Sequence, residues 1–176
     1  MIRPRARTIL RNPVPLAVFA VAAAALWLAL LAIPAASRAE TPVQVCEVSD
    51  PTAIQVTVEK VRSSKGLITA VLYSDNPDTF LKRGARLDRI RVDAQEGETQ
   101  LCLHAPTAAG RYTVALYHDE NGNKEFDRDF LGIPTEGYGF SQNPGFRFGK
   151  PDQDETLFTI DGALTTLKIS ILYLQG

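Results

Sequence analysis

From residue 54 onward the chain alternates apolar and polar positions with a period of two. In 54–61 (IQVTVEKV) Ile54, Val56 and Val58 share one face and Gln55, Thr57 and Glu59 the other, the pattern of a half-buried strand. A second run, Leu67 to Tyr73, follows Gly66 and is apolar on both faces, which predicts a central strand covered on both sides. Ser63-Ser64-Lys65-Gly66 joins the two as a hairpin-like connection. Residues 74–86 break the alternation and read as a loop with one helical turn around Thr79–Lys82. Strands follow at 88–94, 98–104 and 111–118, separated by the turns Gln95-Glu96-Gly97 and Pro106 to Gly110. The last two are 155–160 and 165–173, with Asp161-Gly162 as the turn signal between them. Seven short strands so punctuated predict an all-β fold, a single antiparallel β-sandwich of immunoglobulin-like or transthyretin-like type. Tyr112, at a strand start, reads either as a tyrosine-corner plug or as an ordinary core tyrosine.

Between His118 and Asp154 no strand pattern is found, so one long loop is expected there. It holds six of the twelve aromatic residues beyond position 39: Phe126, Phe130, Tyr138, Phe140, Phe146 and Phe148. Rings at that density bury against the sandwich edge, a ligand or a partner, so the loop is expected to be ordered. Tyr138, Phe140, Phe146 and Phe148 are the candidate binding surface.

The N-terminal stretch has another character. Arg3, Arg5, Arg7 and Arg11 precede an unbroken apolar run over 16–33, and Ser37-Arg38-Ala39 offers small residues before Glu40. Residues 1–39 therefore read as a signal peptide. An uncleaved membrane anchor is the alternative, because the run just reaches spanning length. Residues 40–176 then form the sandwich domain outside the cytoplasm, periplasmic or secreted. Without the leader the formal charge moves from −1 to −6, with 14 Lys and Arg against 20 Asp and Glu. That balance argues against nucleic-acid binding. In that compartment Cys46 and Cys102 are expected to form a disulfide. It would close a loop of about 57 residues, worth on the order of 4 kcal/mol in the chain-entropy model.

Concentrated chemistry sits at the start of the long loop. Asp119, Asn121, Asn123, Glu125 and Asp127 stand at relative positions 1, 3, 5, 7 and 9. Alternating oxygen side chains let one turning backbone aim several ligands at a hard cation, the logic of an EF-hand-type calcium loop. Position 6, where the sharp turn wants glycine, is Lys124, and position 12, where a bidentate Glu closes the shell, is Phe130. The competing reading is an Asn/Gly hairpin tip that caps its own backbone. A hydrolase with His118 and Asp119 at its mouth is the enzymatic alternative. Ser141, however, lies in Gly-Phe-Ser-Gln rather than a nucleophile elbow, and phosphate-loop, dinucleotide and zinc patterns are absent.

The run Gly110-Arg111-Tyr112, then His118-Asp119-Glu120-Asn121-Gly122-Asn123, Asp127, Leu131-Gly132-Ile133-Pro134 and Glu136-Gly137-Tyr138-Gly139-Phe140-Ser141 resembles the signature of a bacterial exported family. That family is catalogued as domain of unknown function 2141, and the resemblance covers about residues 50–174. The family usually shows NGNGKLD where this chain has NGNKEFD, so Lys124 departs at the glycine. The resemblance implies a small periplasmic or secreted β-sandwich and no established activity. The expected function is a non-catalytic accessory or binding module of the cell envelope. Its functional loop would span 119–148, ordered by calcium or by its own hydrogen bonds. The expected partner is an envelope protein or a glycan, with no nucleic acid and no membrane once the leader is removed. The alternatives are the hydrolase and a purely structural domain.

Overall fold

The computed structural model describes residues 44–146 and 149–175. The expected leader and Phe148 lie outside the described residues. Among the described residues eight strands form: β1 Ala53–Val61, β2 Leu67–Ser74, β3 Asp88–Asp93, β4 Gly97–His104, β5 Ala109–Asp119, β6 Gly137–Phe140, β7 Phe158–Asp161 and β8 Thr165–Ser170. One sheet has the order β4-β1-β8; the other runs β3-β2-β5-β6, with β7 also on β5. The result is an all-β, sandwich-like arrangement. It is antiparallel-rich rather than wholly antiparallel, because β1 pairs antiparallel with β4 and parallel with β8. Among the described residues no helix is long and apolar enough to cross a membrane.

The alternation read from the sequence assigns the inner faces. Ile54, Val56, Val58, Leu101, Leu103 and Ile169 of the first sheet pack against Ile68, Ala70, Leu72, Val114, Phe158 and Ile160 of the second. Each of these side chains larger than alanine contributes about 1.5–3 kcal/mol when fully buried. β2 is buried at six consecutive positions, Ile68 to Tyr73. Its second face carries Val71 and Tyr73, which pack on Phe80 from the following loop. Coverage on both sides, expected from the two-faced run, is what the fold shows.

The long-loop expectation needs one correction. Residues 137–140 form β6, paired with the second half of β5 from Ala115 to His118, while β7 takes the first half. Alternate glycines hide this strand, because Gly normally weakens one. Here they are required by close approach. A Cβ on Gly137 would meet the Tyr173 ring at 2.2 Å, and one on Gly139 would meet the Ile169 methyl at 2.8 Å. After Ser170 the chain leaves β1 and crosses to β6, where Tyr138 and Leu172 exchange both backbone hydrogen bonds. Gly137 and Gly139 thus admit the crossing segment, while Tyr138 and Phe140 face the opposite side.

Smaller shifts have local causes. β7 starts at Phe158 rather than 155, because Gln153–Glu155 winds into a 3-10 turn. The helical element expected at 79–82 is a turn there, followed by 3-10 helix at Arg83–Ala85. Cys46 and Cys102 form the disulfide. The Tyr112 hydroxyl lies 2.8 Å from Thr107 Oγ1, five residues upstream, and its ring would be met at 3.1 Å by any Cβ on Gly110. Tyr112 thus plugs its own corner.

Candidate functional site

β5 ends in His118 and Asp119, both fully buried. His118 Nε2 lies 2.8 Å from the Lys65 carbonyl and must donate to it, since a carbonyl only accepts. Nδ1 lies 2.7 Å from the Tyr173 hydroxyl. Both ring nitrogens are occupied, so His118 has none to offer a substrate. Asp119 Oδ2 accepts the Lys124 N–H at 2.8 Å, while Oδ1 is buried without a partner. Gly66 packs against the Asp119 backbone so closely that a Cβ would fall 1.9 Å from its carbonyl oxygen.

The turn after Asp119 is built from side chains that hold the backbone. Asn121 Oδ1 accepts the Asn123 N–H at 2.9 Å, and Asn123 Oδ1 accepts the Glu125 N–H at 2.8 Å. Both side-chain amides donate to Asp127 Oδ2, at 2.7 and 2.8 Å. The sharp bend at position 6 forms without its glycine: Lys124 takes φ 67°. A left-handed conformation costs an ordinary L-residue roughly 1–2 kcal/mol. Glu120 turns away to Arg62, whose guanidinium holds its carboxyl below the usual range. The Glu125 side chain is likewise drawn off, to Arg83.

Glu136, nine residues beyond Asp127, completes the group and was given no role in the sequence reading. It is 5% exposed. Its Oε2 accepts the Asp127 N–H at 3.1 Å, and its Oε1 is buried without a partner. Burial, and then the charges of Asp127 and Asp119, push its pKa from 4.5 to about 7. Asp119, Asp127 and Glu136 therefore neighbour one another with two carboxylate oxygens unsatisfied. They do not close into a ready-made cluster: among the described residues no group of three or more His, Cys, Asp or Glu is arranged to hold a metal. The two asparagine amides take up Asp127 instead.

The same loop walls a cavity of about 740 Å³ on the outer face of the second sheet. Six rings run across that face. Tyr73 and Phe80 have centroids 6.1 Å apart, Phe80 and Phe140 6.2 Å, and Phe140 and Tyr138 6.2 Å. Tyr138 and Phe126 follow at 6.0 Å, then Phe126 and Tyr117 at 5.5 Å. Arg89 and Arg91 stand opposite Val71 and Thr69 on β2, where period-two alternation brings them to this face while Ile90 and Val92 pack inward. Arg128 lies 4.9 Å from the Phe126 centroid and Lys150 5.5 Å from that of Phe80.

The structure thus brings Asp119, Asn121, Asn123 and Asp127 together and leaves the Glu125 carboxylate outside. It puts Tyr138, Phe140 and Phe146 on the cavity wall, with Phe146 55% exposed. The sequence reading missed Glu136 and the basic rim. The signal for the rim was the Arg-Ile-Arg-Val alternation of 89–92. Neither a curated protein nor a solved structure matches the chain. Residues 56–168 match the model of a family described as an uncharacterized protein conserved in bacteria, DUF2141, and the chain belongs to that family.

Proposed function

We propose that this DUF2141 member is an exported, non-catalytic binding module of the cell envelope, periplasmic or secreted. Its loop at 119–148 is ordered by calcium and presents the aromatic face to a ligand. The observation that carries the reading is the meeting of two buried carboxylates, Asp119 and Glu136, each with one oxygen left without a partner. A buried unsatisfied acceptor costs about 1–3 kcal/mol, more when charged. A hard divalent cation satisfies both oxygens at once and offsets their mutual repulsion with Asp127. Asp119, Asp127 and Glu136 would supply the carboxylates. Asn121 and Asn123 would supply amide oxygens once their amides turn from Asp127. The left-handed Lys124 already provides the bend that such a loop needs.

Two further observations favour binding over the alternatives. The hydrolase reading requires a base, and both nitrogens of His118 are occupied. A purely structural loop would bury its aromatic residues, yet Phe130 is 94% exposed and Phe146 55%. The Cys46–Cys102 disulfide supports an oxidising compartment.

The test is a thermal melt of the disulfide-intact protein in calcium and then in excess chelator. A ligand that binds only the folded state stabilises it by mass action, by about 2.7 kcal/mol at a hundredfold excess over Kd, and so raises the midpoint. A calcium-dependent rise that Asp119→Asn abolishes is the expected result. No shift at millimolar calcium would refute the metal and leave the turn as a self-capped hairpin.

A further inference from the structure

The cavity on the outer face has a charge that the rest of the domain does not. Residues 40–176 carry 14 basic and 20 acidic side chains. Among the described residues seven basic side chains line this one cavity, against a single acid, Glu125, which Arg83 already neutralises. The other six are Arg86, Arg89, Arg91, Lys124, Arg128 and Lys150, and among the described residues no acidic partner reaches any of them. Arg86 Nε and Arg91 Nε are buried donors with nothing to donate to. Six cations on one face without a carboxylate partner make that face electropositive, and an anion among them would relieve their mutual repulsion. Charges on an exposed edge strand alone would account for Arg89 and Arg91 on β3, but not for cations that come from three separate loops as well.

The wall between these cations is apolar. Among the described residues the lining contains no Ser, Thr, Asn, Gln, Asp or His. A sugar would find rings to stack on but almost no neutral groups for its hydroxyls, so the lining is ill suited to a glycan. Of the lining, Leu131 is 68% exposed, and Phe130 beside it in sequence is 94% exposed, two large apolar side chains standing in water. A volume of about 740 Å³ lies within the usual range for a drug-sized ligand.

We propose that this cavity binds one lipid-like anionic amphiphile, with its carboxylate or phosphate head among Arg86, Arg89 and Arg91 and its hydrocarbon body along the aromatic floor. Arginine's planar fork pairs with both oxygens of such a head, and the rings accept an apolar chain without hydrogen bonding. The proposal rests on the reading of this face as the binding face and names the chemistry of its ligand. It does not require the calcium.

The experiment is calorimetric titration of the protein, in calcium and in chelator, with three probes below any micelle-forming concentration: dodecyl phosphate, dodecyl maltoside and inorganic phosphate. One dodecyl phosphate per chain is expected. Dodecyl maltoside should bind at least about tenfold more weakly, and inorganic phosphate should give no detectable heat. Arg89→Gln combined with Arg91→Gln should weaken dodecyl phosphate by about tenfold or more. Lys168→Gln, which removes a cation on the other sheet, should change nothing. Folding of each variant is checked by its melt. Equal affinity for the two detergents would overturn the proposal, since the groove would then be merely apolar. Binding of inorganic phosphate as strong as that of dodecyl phosphate would overturn it too, as would no binding by any probe. A calcium-shifted melt without detergent binding would sink this inference and leave the calcium reading standing. Selective dodecyl phosphate binding without a calcium shift would do the reverse.

Discussion

Substituting Glu136 by glutamine separates the burden its buried carboxyl places on the fold from the ligand role that the proposed function gives it. Its pKa rises from 4.5 to about 7, chiefly through burial and then through Asp127 and Asp119. Below about pH 4.5 the group is protonated in folded and unfolded chains alike and costs nothing. Between that value and 7 the unfolded chain gives up its proton while the folded chain keeps it, so stability falls as pH rises. Above 7 the cost is complete. The interval of roughly 2.5 pH units at about 1.4 kcal/mol each amounts to some 3 kcal/mol. Solvent around the exposed Asn121 and Asn123 screens part of this, leaving on the order of 2 kcal/mol. Glutamine keeps an acceptor for the Asp127 N–H and carries no charge. In chelator near pH 8, Glu136→Gln is therefore expected to melt about 6 °C above wild type, at roughly 3 °C per kcal/mol for a domain of this size. Near pH 4.5 the two should melt together. Saturating calcium should invert the order, because wild type gains the binding energy of a charged ligand and the variant gains little. Scanning calorimetry at the two pH values, with and without calcium, reads all of this. A variant less stable than wild type in chelator at the higher pH would refute the burden. An undiminished calcium shift in the variant would refute the ligand role.

Three further outcomes are expected. Lys124→Asn should stabilise the fold by up to about 1 kcal/mol and, under the proposed function, tighten calcium, because asparagine tolerates the left-handed bend far better than lysine; a lower midpoint in urea melts would contradict this. Gly137→Val should cost more than about 2 kcal/mol, since its side chain must displace Tyr173 and Ile171, and should speed cleavage between 119 and 153 in limited proteolysis. Unchanged cleavage there would show that β6 does not order the loop. Cys46→Ala with Cys102→Ala should cost on the order of 4 kcal/mol in the chain-entropy model. The calcium shift should survive, because the bond ties the segment before β1 to β4, away from the acidic turn; its loss would mean that the disulfide shapes the loop.

Most of the framework was legible because period-two alternation carries a face assignment at every residue. Ile54, Val56 and Val58 point inward as read, and the two-faced run at Leu67 to Tyr73 is the strand with cover on both sides. β6 was not legible, because Gly137 and Gly139 are selected by a segment more than thirty residues away and look locally like turn signals. The acidic turn was readable from its spacing up to Asp127. Glu136 was not, since it reaches the site by pairing of its strand and not by position in the loop. Glu125 was misplaced for the opposite reason: the spacing is right, but Arg83 from a distant loop takes the side chain. The basic rim, likewise, exists only once β3, the loop after β5 and the loop before β7 are folded onto one face.

The crossing of the chain after Ser170 has a kinetic consequence. Residues 165–170 pair with 54–59, Leu172 pairs with Tyr138, and Tyr173 reaches His118. These contacts join segments far apart in sequence, and such non-local pairings are slow to form because the loop-closure entropy is lost before they reward it. Tyr173 seats the residue directly before Asp119, so the acidic turn cannot take its final shape until the tail has arrived. Metal competence should therefore appear in the slowest refolding phase, after the bulk of the β-sheet signal. A stopped-flow experiment that follows both signals would see the loop finish last.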